Sequence, residues 1–324
     1  MVLLKVGFAL KKSSGIADRL PPQRPADENR YCRRAAGVSI DRHRGPGILA
    51  RRVSLTRPST LMNQTTLGVA VITRNAASRL DECLAAVAFA DAIVVVDSGS
   101  TDHTVEIARA HGARVLSHPD WPGFGPQKNR ALDALGTDWI LSIDADEIVS
   151  AELASAIRAT LAAPAADVYA LDRLSYFCGH QVRHSGWYPD WIPRLFRRGA
   201  ARFSDDLVHE RLVFEGPVQR LAGKLLHYSY EDFETVLRKL DAYSTAGARQ
   251  RHAAGGHGSF GKALARGAWA FVRTYLLRRG FLDGRAGFMI AVFNAETVYY
   301  RFLKLAHMET ARADTAVPAS DTPR

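Results

Sequence analysis

The stretch WILSIDADEIVS, Trp139 to Ser150, runs an apolar segment straight into Asp144, Asp146 and Glu147. Three carboxylates within four positions repel one another, so the fold must bring compensating positive charge to them. A hard divalent cation is the natural source, because it prefers oxygen ligands and bridges the phosphate oxygens of a substrate. D-x-D alone is common in loops, whereas D-x-D-E behind a buried strand is a stronger sign of chemistry. The competing use is structural: a turn and a helix start, with Ser150 as cap for AELASAIRATLA. A further carboxylate, Asp97, ends the apolar run AIVVVD and precedes the loop SGSTD. By itself it serves equally well as a turn-starting aspartate.

The segments around these acids alternate in kind. LGVAVIT, from Leu67, reads as a short buried strand, and Ser78 is placed to cap the helix SRLDECLAAVAFA. AIVVVD is a second strand; Ser100 to Asp102 can cap HTVEIARAH, which Gly112 stops. ARVLS follows as a third strand, then the Gly/Pro-rich loop PDWPGFGP, the helix QKNRALDAL, and DWILSID as a fourth strand. This spacing predicts βαβ units and a mostly parallel α/β sheet covered on both faces. In such sheets ligands bind outside the carboxyl ends of the strands, which is where Asp97, Asp144 and Asp146 fall. DSGSTD has neither Walker-loop nor G-x-G-x-x-G spacing, so an ATPase and a dinucleotide enzyme are disfavoured.

The chain has 324 residues and a formal charge of +10, but the charge is uneven. The first 61 residues hold 13 Lys/Arg against 4 Asp/Glu, so nearly all of the surplus lies there. That segment, rich in Arg, Pro, Gly and Ser, lacks sustained periodicity and is expected to be a disordered basic extension. Cys32, Cys83 and Cys178 form no CxxC pair, which fits a reducing compartment and argues against a zinc or disulfide framework. MVLLKVGFAL is a poor signal peptide, and no run of 18 uninterrupted apolar residues exists, so a cytoplasmic location without a membrane span is expected.

VAVITRN, VVVDSGSTD, FGPQKNRAL and WILSIDADE occur in an order that resembles the nucleotide-sugar half of family 2 glycosyltransferases, which have the GT-A (Rossmann-like) fold. Farther on, WYPDWIPRLFRR, FSDDLVHERL, LLHYSYEDFE and GFLDGRAGF are similar to the subgroup of lipopolysaccharide core β-1,4-glucosyltransferases. The resemblance implies an inverting transfer of a sugar, glucose in that subgroup, from a UDP-sugar to a lipid-linked saccharide such as inner-core heptose. It implies that Asp97 accepts from the uracil N3–H, that the backbone near Thr73 and Asn75 lines the base, and that Lys128 faces the nucleotide or diphosphate. Asp144 and Asp146 would hold Mn²⁺ or Mg²⁺ on the diphosphate, with His227 as a further ligand and His209 a weaker candidate. For the base that takes the acceptor proton, Asp190, Asp205, Asp206 and Glu210 are candidates, and Glu210 is favoured for its place in VHE. Trp187, Tyr188 and Trp191 could stack on a sugar ring or pack in the core.

Between Phe260 and His307 there are eight Lys/Arg and two Asp/Glu. Lys262, Arg266 and Arg273 share one helical face, while Phe288, Val292, Ala295, Tyr299 and Phe302 form an apolar stripe. Two amphipathic helices docking peripherally on the anionic inner leaflet of the inner membrane are the expectation; packing of the stripe on the preceding domain is the alternative. The expected organisation is thus 1–61 extension, 62–250 catalytic domain, 251–310 membrane-associating helices and 311–324 disordered tail. Two other functions compete. A sugar-nucleotide pyrophosphorylase would need a glycine-rich loop where this chain has TRNAASR. A non-enzymatic basic protein binding membrane or nucleic acid would draw on the charge of residues 1–61.

Overall fold

The computed structural model describes residues 65–205 and 210–315. The expectations for residues 1–61, for residues 316–324, and for Asp206 and His209 lie outside the described residues. The nucleotide-sugar half runs β1 (Leu67–Thr73), α1 (Ala77–Ala85), β2 (Ala92–Asp97), α2 (Thr104–Ala110), β3 (Arg114–Ser117), α3 (Phe124–Asp133) and β4 (Trp139–Asp144). After it come β5 (Glu147–Val149), α4 (Ala151–Ala162), β6 (Val168–Phe177), β7 (His180–Gln181), β8 (Trp191–Arg197), β9 (Ala201–Phe203), β10 (Leu212–Phe214) and β11 (Val218–Tyr230). Helices α5 (Phe233–Ala253), α6 (Phe260–Val272) and α7 (Gly284–Thr315) close the chain, with a π-helical turn at Arg273–Leu277 and a 3-10 turn at Gly280–Asp283.

The main sheet has the order β3-β2-β1-β4-β8-β6-β11-β5, with β7 on β6; β9 and β10 form a separate ribbon. β3, β2, β1 and β4 are parallel, β8 runs antiparallel to both β4 and β6, and β11 is parallel to β6. The register pairs Thr73 with Asp97 and Ile72 with Asp144, so the strands end together and deliver their acids to one edge. Along β1 and β4, Val69, Val71, Leu141 and Ile143 join one apolar cluster, while Ala70 and Ile140 join another on the opposite face. That two-sided burial is why these strands read as continuous apolar runs.

The first helix is not capped by Ser78, which lies inside α1; its N-cap residue, Ala76, has no side-chain cap. The loop after β2 and the start of α2 satisfy those amides instead: Ala76 N donates to Thr104 Oγ1 at 2.8 Å, and Ala77 N to Asp102 Oδ2 at 3.2 Å. Ser150 does cap α4, accepting from Leu153 N at 3.2 Å.

The expected division falls near residue 250; the C-terminal helices belong to the same compact unit as the sheet. Helix α5 crosses that boundary, and Ile290 and Phe293 of α7 enter a core cluster with Phe177, Tyr230, Val236 and Tyr243. The stripe splits: Phe302 is buried, Val292, Ala295 and Tyr299 are half-buried, and Phe288 is exposed. α6 approaches it closely, since a Cβ on Gly267 would lie 3.2 Å from Ala295 O and Tyr299 Cβ. α7 also continues through residues 311–315, where a tail was expected. Among the described residues no helix is long and apolar enough to cross a membrane.

Candidate active site

The acids at the end of β4 are balanced by side chains from three other elements. Asp144 receives Lys128 Nζ of α3 on Oδ1 at 2.9 Å and Arg194 Nη2 of β8 on Oδ2 at 2.7 Å. Glu147 is fully buried between Arg194 (3.2 Å) and Arg173 of β6 (3.4 Å), and accepts from the Asp144 backbone N–H at 2.9 Å. Burial alone would push the Asp144 carboxyl up, but Arg194 and Lys128 outweigh it and hold the group well below the usual carboxylate range. Burial likewise opposes the charge on Arg194, and Asp144 and Glu147 more than restore it. The cluster is therefore neutralised by the protein's own cations. For Asp144 and Glu147 these cations supply the compensation that was expected from a metal ion, and Asp144 has both oxygens engaged.

Asp146 is different. Its Oδ2 lies 3.6 Å from His227 Nε2, while its buried Oδ1 and His227 Nε2 have no hydrogen-bond partner. The sheet makes this meeting across some eighty residues of sequence: β11 pairs antiparallel with β5, setting His227 opposite Glu147, and Tyr228 N donates to Asp146 O at 2.9 Å. Ser175 Oγ sits 3.1 Å from His227 Nδ1 and fixes the ring from behind. Burial lowers the imidazole, against the pull of Asp146, which favours the neutral ligand form. Burial also raises Asp146, and Asp144 and Glu147 add to that; a cation would reverse it.

An unpartnered carboxylate oxygen beside an unpartnered neutral imidazole nitrogen suits Mn²⁺ or Mg²⁺. No group of three His, Cys, Asp or Glu is assembled for a metal among the described residues. Asp146 and His227 thus offer two ligands, and substrate oxygens and water must supply the others.

A cavity of about 660 Å³ opens over this edge. Thr73, Asn75, Lys128 and Asp144 line it from the nucleotide-sugar half, Asp146 and Glu210 from the segments that follow, and Tyr228, Arg238 and Lys239 from β11 and α5. Lys128 is not solvated; it is buried, bridging Asp144 and Glu210 Oε1 at 3.5 Å, so it ties the favoured base to the end of β4. Its neighbours are fixed as firmly: Gln127 Nε2 donates to Ser98 Oγ at 2.9 Å, and Asn129 clamps both backbone groups of Phe203. Gly125 permits that contact, since a Cβ there would stand 1.9 Å from Ser204 O.

Asp97 braces the wall and is not among the residues lining the cavity. Its carboxylate accepts from Thr73 Oγ1, Ser100 Oγ and the Gly99 and Ser100 amides, at 2.5 to 3.0 Å. Of the other candidate bases, Asp190 is held by Arg173 at 2.6 Å, and Asp205 is exposed. Trp187 packs on Phe177 and Tyr230, Tyr188 donates to Asp172, and Arg220 covers Trp191, so none of the three aromatics lines the cavity. Trp121, Phe124 and Tyr228 do, and sequence reasoning missed them.

Lys239 was also missed. It donates to Ser229 Oγ at 2.9 Å and to Ser229 O, and stands 4.4 Å over the Tyr230 ring. Burial pulls it down to about 8, against Asp146. Arg194 had a signal, an arginine within the apolar strand WIPRLF; Lys239 had none.

The glycosyl transferase family 2 profile matches residues 68–220. An uncharacterized glycosyltransferase of Rickettsia typhi is 31% identical over 78% of this chain and 89% of its own. The chain belongs to glycosyl transferase family 2. It is a glycosyltransferase on a GT-A sheet, which sets aside the pyrophosphorylase and non-enzymatic readings. A lipopolysaccharide core biosynthesis glycosyltransferase of Rhizobium meliloti is 30% identical, over 79% of this chain and 96% of that one. Among solved structures, S. aureus TarS with UDP-GlcNAc matches 76% of this chain and 92% of its own, at 15% identity and TM-score 0.42. Mycobacterium tuberculosis glucosyl-3-phosphoglycerate synthase with Mn²⁺ and UDP-glucose matches 35% of this chain and 45% of its own, at 25% identity and TM-score 0.31. His227 and Lys239 both lie beyond the segment that the family profile matches.

Proposed function

We propose that this family member transfers a hexose, glucose in the first instance, from a UDP-sugar to a lipid-linked saccharide, with inversion and with Mn²⁺ or Mg²⁺ bound. The observation that carries the metal-dependent reading is the pair of unpartnered buried atoms, Asp146 Oδ1 and His227 Nε2, beside a cavity of about 660 Å³. Asp146 and His227 would hold the ion, which when bound would offset negative charge on the diphosphate leaving group. The uracil lies against the Thr73–Asn75 loop, whose shape Asp97 fixes from behind; contact of Asp97 with the uracil N3–H would displace one of its present donors. Lys239 and Arg238 supply positive charge on the α5 side for the diphosphate.

Glu210 takes the proton of the acceptor hydroxyl as that oxygen attacks the anomeric carbon. Lys128, 3.5 Å from Glu210 Oε1, orients it. Two features support an acceptor of the lipopolysaccharide inner-core type, such as a heptose: the name of the Rhizobium meliloti relative, and the match to that subgroup in sequence.

The test is UDP release by the full chain with a panel of UDP-sugars, Mn²⁺ or Mg²⁺ against EDTA, and a heptose-containing core acceptor present or absent. Chelator-sensitive release with one sugar, accelerated by acceptor, is the expected result. Release unaffected by EDTA removes the metal, and no release with any UDP-sugar removes the donor assignment.

A further inference from the structure

The described residues carry fourteen exposed large hydrophobics, and eight of them fall between Phe260 and Phe288: Phe260, Leu264, Trp269, Leu276, Leu277, Phe281, Leu282 and Phe288. Such a concentration is not the scattered exposure of an ordinary soluble surface. The apolar stripe expected from sequence is mainly packing; the free apolar surface lies along α6 and, above all, on the turn that follows it. Residues 276–285 read LLRRGFLDGR, and Leu276, Leu277, Phe281 and Leu282 are each about half exposed or more, up to 64% at Leu277.

The charge around this surface has one sign. Residues 260–288 include six Lys/Arg and a single acid, Asp283. That acid is turned inward and consumed: Ser185 Oγ donates to it at 2.8 Å, the amides of Arg183 and His184 donate at 2.9 to 3.1 Å, and His184 Nδ1 lies at 3.1 Å. Ser185 N also donates to Arg278 O at 2.9 Å. The 276–285 turn is thus fastened to the 183–185 loop, with its leucines and phenylalanine exposed. Arg278, Arg279 and Arg285 stay exposed beside them, as do Lys262 and Arg266 on α6.

We propose that the α6 face and the 276–285 turn form a rigid docking surface for an anionic phospholipid bilayer, entered by Leu276, Leu277, Phe281 and Leu282 and ringed by arginines on the headgroup phosphates. The apolar tips account for insertion, and the unopposed cations select anionic over zwitterionic lipid. A second copy of this chain fits less well, because it would bring the same cations face to face. The inference is independent of which sugar the enzyme transfers.

The experiment is co-sedimentation of the full chain with vesicles of phosphatidylethanolamine and phosphatidylglycerol, against vesicles of phosphatidylcholine alone. It is repeated with the fourfold variant Leu276→Ser, Leu277→Ser, Phe281→Ser, Leu282→Ser, and with Arg278→Gln/Arg279→Gln/Arg285→Gln. All seven positions are exposed, and thermal melting checks that both variants stay folded. The expected result is binding to the anionic vesicles only, weakened at least tenfold in each variant. Binding by the wild type that neither variant reduces would overturn the assignment. So would failure of the wild type to bind, or a shift from dimer to monomer in the serine variant without change in vesicle binding; the latter would make the face an interface between copies.

Discussion

Arg194→Met tests whether protein cations, and not a metal, hold the acidic strand end together. The substitution removes the 2.7 Å contact to Asp144 and the 3.2 Å contact to Glu147 while keeping a side chain of similar reach. Losing one partner of a buried ion pair costs roughly 3–5 kcal/mol. Asp144 keeps Lys128 at 2.9 Å and Glu147 keeps Arg173 at 3.4 Å, which argues for the lower end. About 3 kcal/mol corresponds to a fall in Tm of roughly 6–12 °C for a unit of this size.

The loss should depend on pH. Asp144 sits well below its ordinary value in the folded chain, so its contribution is present above the unfolded value and disappears as pH falls through the folded one. Without Arg194 that depression is smaller, and acid unfolding should begin at higher pH. The difference between variant and wild type should then shrink below about pH 4, where the unfolded chains take up the proton while folded wild-type Asp144 still resists it. Thermal melts of both proteins from about pH 2.5 to 8, with and without EDTA and without substrate, give the answer. A variant as stable as the wild type refutes the reasoning, as does a wild type whose Tm drops several degrees in EDTA.

His227→Ala should weaken Mn²⁺ binding in the presence of UDP by at least about tenfold, since even the partners of metal ligands are worth roughly 10–100-fold; titration calorimetry reads this directly, and unchanged affinity would exclude the ligand role. Glu210→Gln should lower kcat by about 10²–10⁴ with the donor KM little changed. If Glu210 serves only as Lys128's partner, Tm will move and kcat will not. For Lys239, charged below about 8, UDP affinity should fall as pH rises through that value, and Lys239→Met should abolish this dependence. Because its folded value lies under its unfolded 10.5, the same lysine should make the free protein more stable as pH rises from about 8 toward 10.5.

The sheet half of the molecule was legible because its rules are local. Buried parallel strands write themselves as apolar runs, glycines and prolines punctuate them, and Asp97, Asp144 and Asp146 then had to reach a common edge. The capping of α4 by Ser150 was equally local, whereas the amides of α1 were satisfied by Asp102 and Thr104, more than twenty residues away, and no helix signal could announce that.

The chemistry of the acids was a matter of tertiary structure. Sequence established that Asp144, Asp146 and Glu147 needed positive charge; only the fold chose among a metal, Lys128, Arg173 and Arg194, because those cations arrive from α3, β6 and β8. Only the antiparallel pairing of β11 with β5 separated Asp146, left open toward His227, from Asp144, which is already satisfied. In the same way composition revealed that residues 260–288 are basic and apolar, while packing of α7 against α5 and α6 decided which of those side chains remain outside. Local sequence determines what each segment can form. Which charges are neutralised and which surfaces stay bare depends on partners distant in the chain, and that the structure alone decides.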